Sequence, residues 1–277
     1  MHEPFLRYRH YRWLKLSLLM VLIAIGAYFA TPATDRGGGT RVGYALGGVS
    51  AALMLWLAWF GIRKRSYRAR GAPLRGWLSA HVYLGAALLV LVPLHAAFRF
   101  GWNVHGFAAA LTVLTIFSGL IGVVVYASIP EQMTQNRPGQ RLVALFEQVG
   151  MLDGACKELA AGLPTPIARA VNDSVEETRI GGGTLRQLAG RDPSGPTRRA
   201  LIVVQGAQEA ETVDRVSADM LQKLRANLTR KQTVLGRISR DLRLKALLDV
   251  WLVVHVPLGL AALALVAVHV VAVLYYR

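Results

Sequence analysis

Four histidines in this sequence have types and spacing that could do chemistry, and all four lie inside apolar runs. His81 and His95 fall in WLSAHVYLGAALLVLVPLH (77–95), and His255 and His269 in WLVVHVPLGLAALALVAVH (251–269). Laid over one another, the runs match Trp77 with Trp251, His81 with His255, Val82 with Val256, Gly85 with Gly259 and His95 with His269. Each reads W-L-x-x-H-V-x-L-G, with a second histidine ten residues after the glycine. An ionisable side chain in lipid is costly, so each imidazole needs a compensating partner. A hydrogen bond to a neighbouring helix, a proton relay, and a metal or cofactor are the three candidates.

The elements that must position these residues follow from composition. Of 277 residues, 53% are hydrophobic, and they are bunched into runs near bilayer length. Spanning helices are expected at 14–30, 43–62, 77–98, 106–127 and 247–275. The fold class expected is an all-α integral membrane protein, since strand-like alternation is absent and only helices or closed barrels satisfy the backbone in lipid. The first run also resembles a signal-peptide core, but it is long for one and reads better as a membrane helix.

The net charge of +16 is distributed by topology rather than for nucleic acid. Arg7, Arg9, Arg12 and Lys15 precede the first span, and Arg63, Lys64, Arg65, Arg68, Arg70 and Arg75 crowd the loop after the second. The loops at 31–42 and 99–105 carry only Arg36, Arg41 and Arg99, with Asp35 against them. Positive charge marks the cytoplasmic side, so the N-terminus and the 63–76 loop are expected inside and the C-terminus outside. Four segments result: 1–42, the cytoplasmic N-terminus with the first span and outer loop; 43–127, spans two to four; 128–246, a mainly helical cytoplasmic insertion; and 247–277, span five.

This topology makes spans three and five parallel. Fourteen residues of α-helix advance about 21 Å and leave two side chains only about 40° apart. Each of these helices therefore presents two imidazoles on nearly one face, and the partners can meet as His81 with His255 and His95 with His269. Two facing pairs at two depths suit two bis-histidine irons. A haem is apolar, fills a bundle interior and takes axial imidazoles, and Gly85 and Gly259 would let a flat ring approach the backbone. A structural zinc would need four close ligands, and a relay would enlist carboxylates, of which these spans hold almost none apart from Asp249 at the boundary.

Parallel helices each carrying H-x13-H resemble the di-haem b-type cytochromes, in particular the four-helix haem bundle of cytochrome b/b6. The resemblance implies that spans two to five form the haem-binding bundle and that spans three and five supply the ligands to two non-covalent haem b groups. It also implies glycines on the non-ligand helices, for which Gly47, Gly48, Gly61, Gly106 and Gly119 are spaced suitably. It does not cover the first span or the insertion. The Pro-Glu-Trp-Tyr motif of quinol oxidation is missing, since Pro130-Glu131 is followed by Gln and Met. Five spans are also similar to the b-haem membrane subunits of nitrate reductase and formate dehydrogenase, which implies partner redox subunits and a lipid quinone. Arg99, one turn outside His95, suits either a haem propionate or an interface anchor. His105 reads as a surface histidine, and His2 and His10 carry no role.

The insertion holds no cofactor motif. Helices are expected at 139–161 and 207–245, the second with Leu221, Leu228, Leu235 and Leu242 at seven-residue spacing, beside Leu224 and Ile238. That stripe reads as packing, and a basic face (Lys223, Arg225, Arg230, Lys231, Arg237, Arg240, Arg243, Lys245) would meet headgroups or an acidic partner. The GGG at 181–183 lacks the lysine and spacing of a phosphate loop. Cys156, the sole cysteine, excludes an internal disulfide, a cysteine-held iron–sulfur cluster and covalent CxxCH haem, and reads as a small buried side chain.

The function expected is that of a di-haem b-type cytochrome subunit carrying electrons in the membrane between a quinone pool and a partner subunit. The alternative is a non-haem structural or signalling membrane protein, its histidines bracing helices and its basic insertion recruiting a partner.

Overall fold

The computed structural model describes residues 5–65, 73–190, 192–209 and 215–275. His2, Arg68, Arg70, Tyr276 and Arg277 lie outside the described residues. Among the described residues the regular structure is all helical: α1 Tyr8–Ala30, α2 Arg41–Arg65, α3 Leu74–His95, α4 Val104–Asn136, α5 Leu142–Ala161, α6 Thr165–Glu176, α7 Thr184–Leu188, α8 Gly195–Glu209 and α9 Arg215–Tyr275. Five of them, α1 to α4 and α9, are long and apolar enough to cross a membrane. Large aliphatic side chains such as Leu22, Ile23, Val124, Val253 and Leu260 stand exposed along these helices, the surface a lipid phase would cover. The chain divides into two compact units, Met1–Val124 with Trp251–Arg277, and Val125–Val250.

In the first unit, α3 is the central helix and packs against α1 and α2. Its core joins Ala24 and Tyr28 of α1, Leu46 of α2, and Leu88, Leu91 and Leu94 of α3. The contact at Tyr8 explains Gly76: a Cβ there would stand 2.9 Å from the tyrosine ring. Left-handed backbone at Arg9, His10 and Tyr11 (φ 45°, 54° and 60°) interrupts α1, so its regular part begins near the expected start.

Several expected boundaries move. Span three stops at His95 rather than 98, because Ala97 and Phe98 turn left-handed (φ 47° and 58°). The Phe98 amide then donates back to the Pro93 carbonyl at 2.9 Å, closing the helix with a Schellman-type bond. Span four runs on to Asn136, passing through Pro130. Span five is the last part of α9, a single 61-residue helix. Of the helix expected at 207–245, residues 207–209 belong to α8 and 215–245 to α9, and 210–214 lie outside the described residues.

The second unit has an ordinary apolar core. Leu221, Leu224 and Leu228 of α9 pack with Cys156 and Ala160 of α5, Ile167 and Val171 of α6, and Ala200 and Val204 of α8. Two turns further on, Leu235 and Ile238 join Leu145, Val149 and Leu152, with Leu242 beside them. The seven-residue leucine stripe is thus used for packing within its own unit. Lys231 corrects the expected basic face: it is fully buried, 2.6 Å from Asp153 Oδ1, and donates to the Ser174 carbonyl (2.8 Å) and Oγ (3.0 Å). The other basic residues of that face are exposed. At the end of α4, Asn136 donates to Asp241 Oδ1 (2.7 Å) and the Arg237 carbonyl (2.8 Å), and Arg137 pairs with Asp241 Oδ2 at 2.6 Å.

Candidate functional site

The two W-L-x-x-H-V-x-L-G runs lie on α3 and α9, and the structure brings their histidines together in register. The rings of His81 and His255 have centroids 6.4 Å apart at 73°, and those of His95 and His269 lie 5.9 Å apart at 83°. Because the lower-numbered histidines meet each other and the higher-numbered ones do likewise, α3 and α9 run parallel. The two pairs are separated along the helices by about 21 Å of rise.

Each ring is held from a different helix. His95 Nδ1 lies 2.8 Å from the Gly43 carbonyl on α2, which makes Nδ1 the protonated nitrogen. His255 Nδ1 lies 2.7 Å from Ser118 Oγ on α4, and the neighbouring Trp251 indole donates to the Ser118 carbonyl at 2.8 Å. His269 Nδ1 meets His105 Nδ1, from the first turn of α4. His81 differs: its polar neighbour is the Leu57 backbone, yet its buried Nδ1 completes no hydrogen bond of good geometry. The described bonds of His95, His255 and His269 all use Nδ1, leaving Nε2 of each for a ligand. That arrangement is the usual one for ligating histidine, whose second nitrogen is fixed by an outer partner.

Aromatic rings border the His81 end. Phe60 lies 5.1 Å from His81, and Trp251 stacks on His255 at 5.3 Å and 19°. Trp77, the counterpart of Trp251 in the repeat, stacks instead on Trp56 at 4.9 Å. The repeat therefore preserves the histidine spacing and not the surroundings.

Glycines on the opposing helices make room for these rings. A Cβ on Gly47 would stand 2.7 Å from His95 Cε1 and 2.8 Å from its Nδ1, and one on Gly119 would stand 3.3 Å from His255 Cε1. Gly122 is more crowded still, with the Trp251 ring 2.0 Å from where a Cβ would be. Gly85 and Gly259 instead face Leu57 and Thr115 at ordinary contact distances of 3.8 and 3.7 Å. Gly48 and Gly61 have nothing within 4 Å, and Gly106 abuts the Gly101 carbonyl at the start of α4.

Arg99 lies beyond the end of α3 and is exposed, its amide donating to the Ala96 carbonyl at 3.0 Å. It is thus a loop residue rather than one on the helix. His105 is also exposed, yet its ring lies 4.5 Å from that of His269, so it belongs to the site. Ser118, the Gly43 carbonyl and His105 are the site groups that reading the sequence missed. Only His105 left a signal, since an antiparallel α4 starts at the depth where α3 ends.

The donor set suits a metal held between two imidazoles. Two rings bound on opposite sides of one ion, at about 2 Å each, have centroids roughly 6 Å apart. Both pairs match that separation. Among the described residues no three His, Cys, Asp or Glu side chains converge as a metal cluster, so a four-ligand zinc site does not fit. Compared with family models, with characterised proteins and with solved structures, the chain matches none of them.

Proposed function

We propose that this chain is a di-haem b-type membrane cytochrome. One haem b would be held by His81 and His255, the second by His95 and His269, within a bundle of α2, α3, α4 and the last part of α9. The observation that carries this reading is the pairing of four histidines into two facing sets, at 6.4 and 5.9 Å, on parallel apolar helices. When bound, each haem supplies an iron that reversibly takes up one electron.

The chain's own residues do the rest. Imidazoles provide the axial nitrogens; the Gly43 carbonyl and Ser118 hydroxyl fix two of the rings; the aliphatic bundle excludes water, which with the ligand set tunes the potential. Gly47 and Gly119 keep α2 and α4 from crowding the rings, while Gly85 and Gly259 thin the ligand helices. Arg99, exposed beside the His95 end, would face a propionate or anchor the interface.

The Lys and Arg bias supports a cytoplasmic N-terminus and 128–246 insertion and an outer C-terminus, in an inner (cytoplasmic) membrane. The exposed basic face of α9 offers a docking surface for an acidic redox subunit, and a lipid quinone is the natural membrane donor or acceptor. The chain would then be the electron-transfer subunit of a membrane oxidoreductase complex.

A second reading is favoured by the hydrogen bonds themselves. His95 to Gly43 and His255 to Ser118 tie neighbouring helices together, as histidine braces in a structural or signalling protein would. A reduced-minus-oxidised absorption spectrum of the purified protein separates the two. Sharp b-type bands are expected; a preparation that stays colourless after haem supplementation would leave the bracing reading in place.

A further inference from the structure

The His105 ring contacts a proposed ligand and has no part in the ligand set. It projects from the first turn of α4, where the Asn103 side chain caps the helix through the Gly106 amide at 3.0 Å. Its Nδ1 faces Nδ1 of His269, and the two rings stand nearly perpendicular at 87° with centroids 4.5 Å apart. Two imidazole nitrogens can approach in this way only if one carries the proton and the other accepts it. If His269 binds iron through Nε2, its Nδ1 is the donor and His105 is the acceptor. His105 then carries its own proton on Nε2, toward solvent.

We infer that His105 is the positioning residue of the His95–His269 site, fixing the ring orientation of His269 and making it a stronger donor to iron. This inference rests on the di-haem reading above and extends it to a residue outside the ligand set. An acceptor on Nδ1–H raises the basicity of the ligating nitrogen, which favours the ferric over the ferrous state and lowers the potential of that site. The four ligands have unequal outer partners: a carbonyl for His95, an imidazole for His269, a hydroxyl for His255, and no well-formed bond for His81. His105 is the only one of these partners that a side-chain substitution can delete outright without touching a glycine or the inner pair. His95 cannot substitute for it, because its Nδ1 is committed to Gly43.

The test is redox titration of purified full-length protein, wild type against His105→Leu and His105→Gln, with haem per chain measured on the same samples. Wild type and H105L are expected to hold two haems each. In H105L one of the two transitions moves to more positive potential by about tenfold in the ferric–ferrous equilibrium, equivalent to about 59 mV for one electron. H105Q, whose amide oxygen can accept the same proton, moves it back toward wild type. Unchanged transitions in a two-haem H105L overturn this inference alone. Loss of one haem from both variants overturns it differently, by making His105 an axial ligand. A wild-type protein that takes up no haem overturns the di-haem reading and this inference together.

Discussion

His255 Nδ1 lies 2.7 Å from the hydroxyl of Ser118, a residue of the antiparallel helix α4. The same residue's carbonyl accepts the Trp251 indole N–H, so Ser118 holds both a candidate ligand and the aromatic ring stacked upon it. The two contacts are separable, because one uses the side chain and the other the backbone.

Ser118→Ala should therefore release the His255 ring while leaving the Trp251 contact in place. Loss of such an outer partner typically weakens metal-site affinity by about 10-fold or more. Haem retention challenged with excess apomyoglobin is the measurement. One of two haems is expected to transfer faster from S118A, and equal retention would show that the hydroxyl does not orient a ligand.

Adjacent glycines on α2 give a matched pair of variants. Gly47→Ala puts a methyl group where His95 Cε1 stands 2.7 Å away, so the ring must move and its bond to Gly43 is lost. Gly48→Ala meets nothing within 4 Å. G47A should lower haem content at one site about 10-fold in affinity, and G48A should behave as wild type.

In the second unit, Asp153 is the carboxylate paired with the buried Lys231 ammonium among the described residues. Asp153→Ala leaves that charge with hydrogen bonds to Ser174 alone. Removing one partner of a buried pair costs about 3 kcal/mol or more. Hydrogen exchange of α5 and α6 amides in the intact protein should accelerate accordingly in D153A, and Asp153→Asn, which keeps an acceptor, should lose less.

Cys156 is expected to be inert. Burial pushes its thiol up to about 11, with the Asp153 carboxylate adding to the effect and Lys231 opposing it. A raised value means a neutral thiol, so at pH 8 only about one molecule in a thousand carries the reactive thiolate. Maleimide labelling of native protein should be slow at pH 7–8 and rise only towards pH 11. In denaturant, where the thiol is exposed and returns to its ordinary range, labelling should be fast.

How legible each feature was in the sequence follows from the range of the interaction that makes it. The α3–α9 pairing could be read because both helices carry the same local pattern and the loop charges led to the expectation that they run the same way. The leucine stripe of α9 could be read because helical packing repeats every seven residues. The end of α3 could not, since Ala97 and Phe98 adopt left-handed backbone with no glycine to announce it. Burial of Lys231 depends on Asp153 and Ser174, and the place of His105 depends on His269, 164 residues away. Lysine on a basic face and histidine near a helix start read locally as solvent-facing groups, and only the folded arrangement of helices says otherwise.

Haem stoichiometry tests the central claim most directly, measured per chain by pyridine haemochrome on wild type, His81→Ala and His95→Ala. Two facing histidine pairs predict two haems in the wild type and one in each variant, with a different redox transition lost from each. A wild type that binds none, or two variants that both retain two, would contradict it.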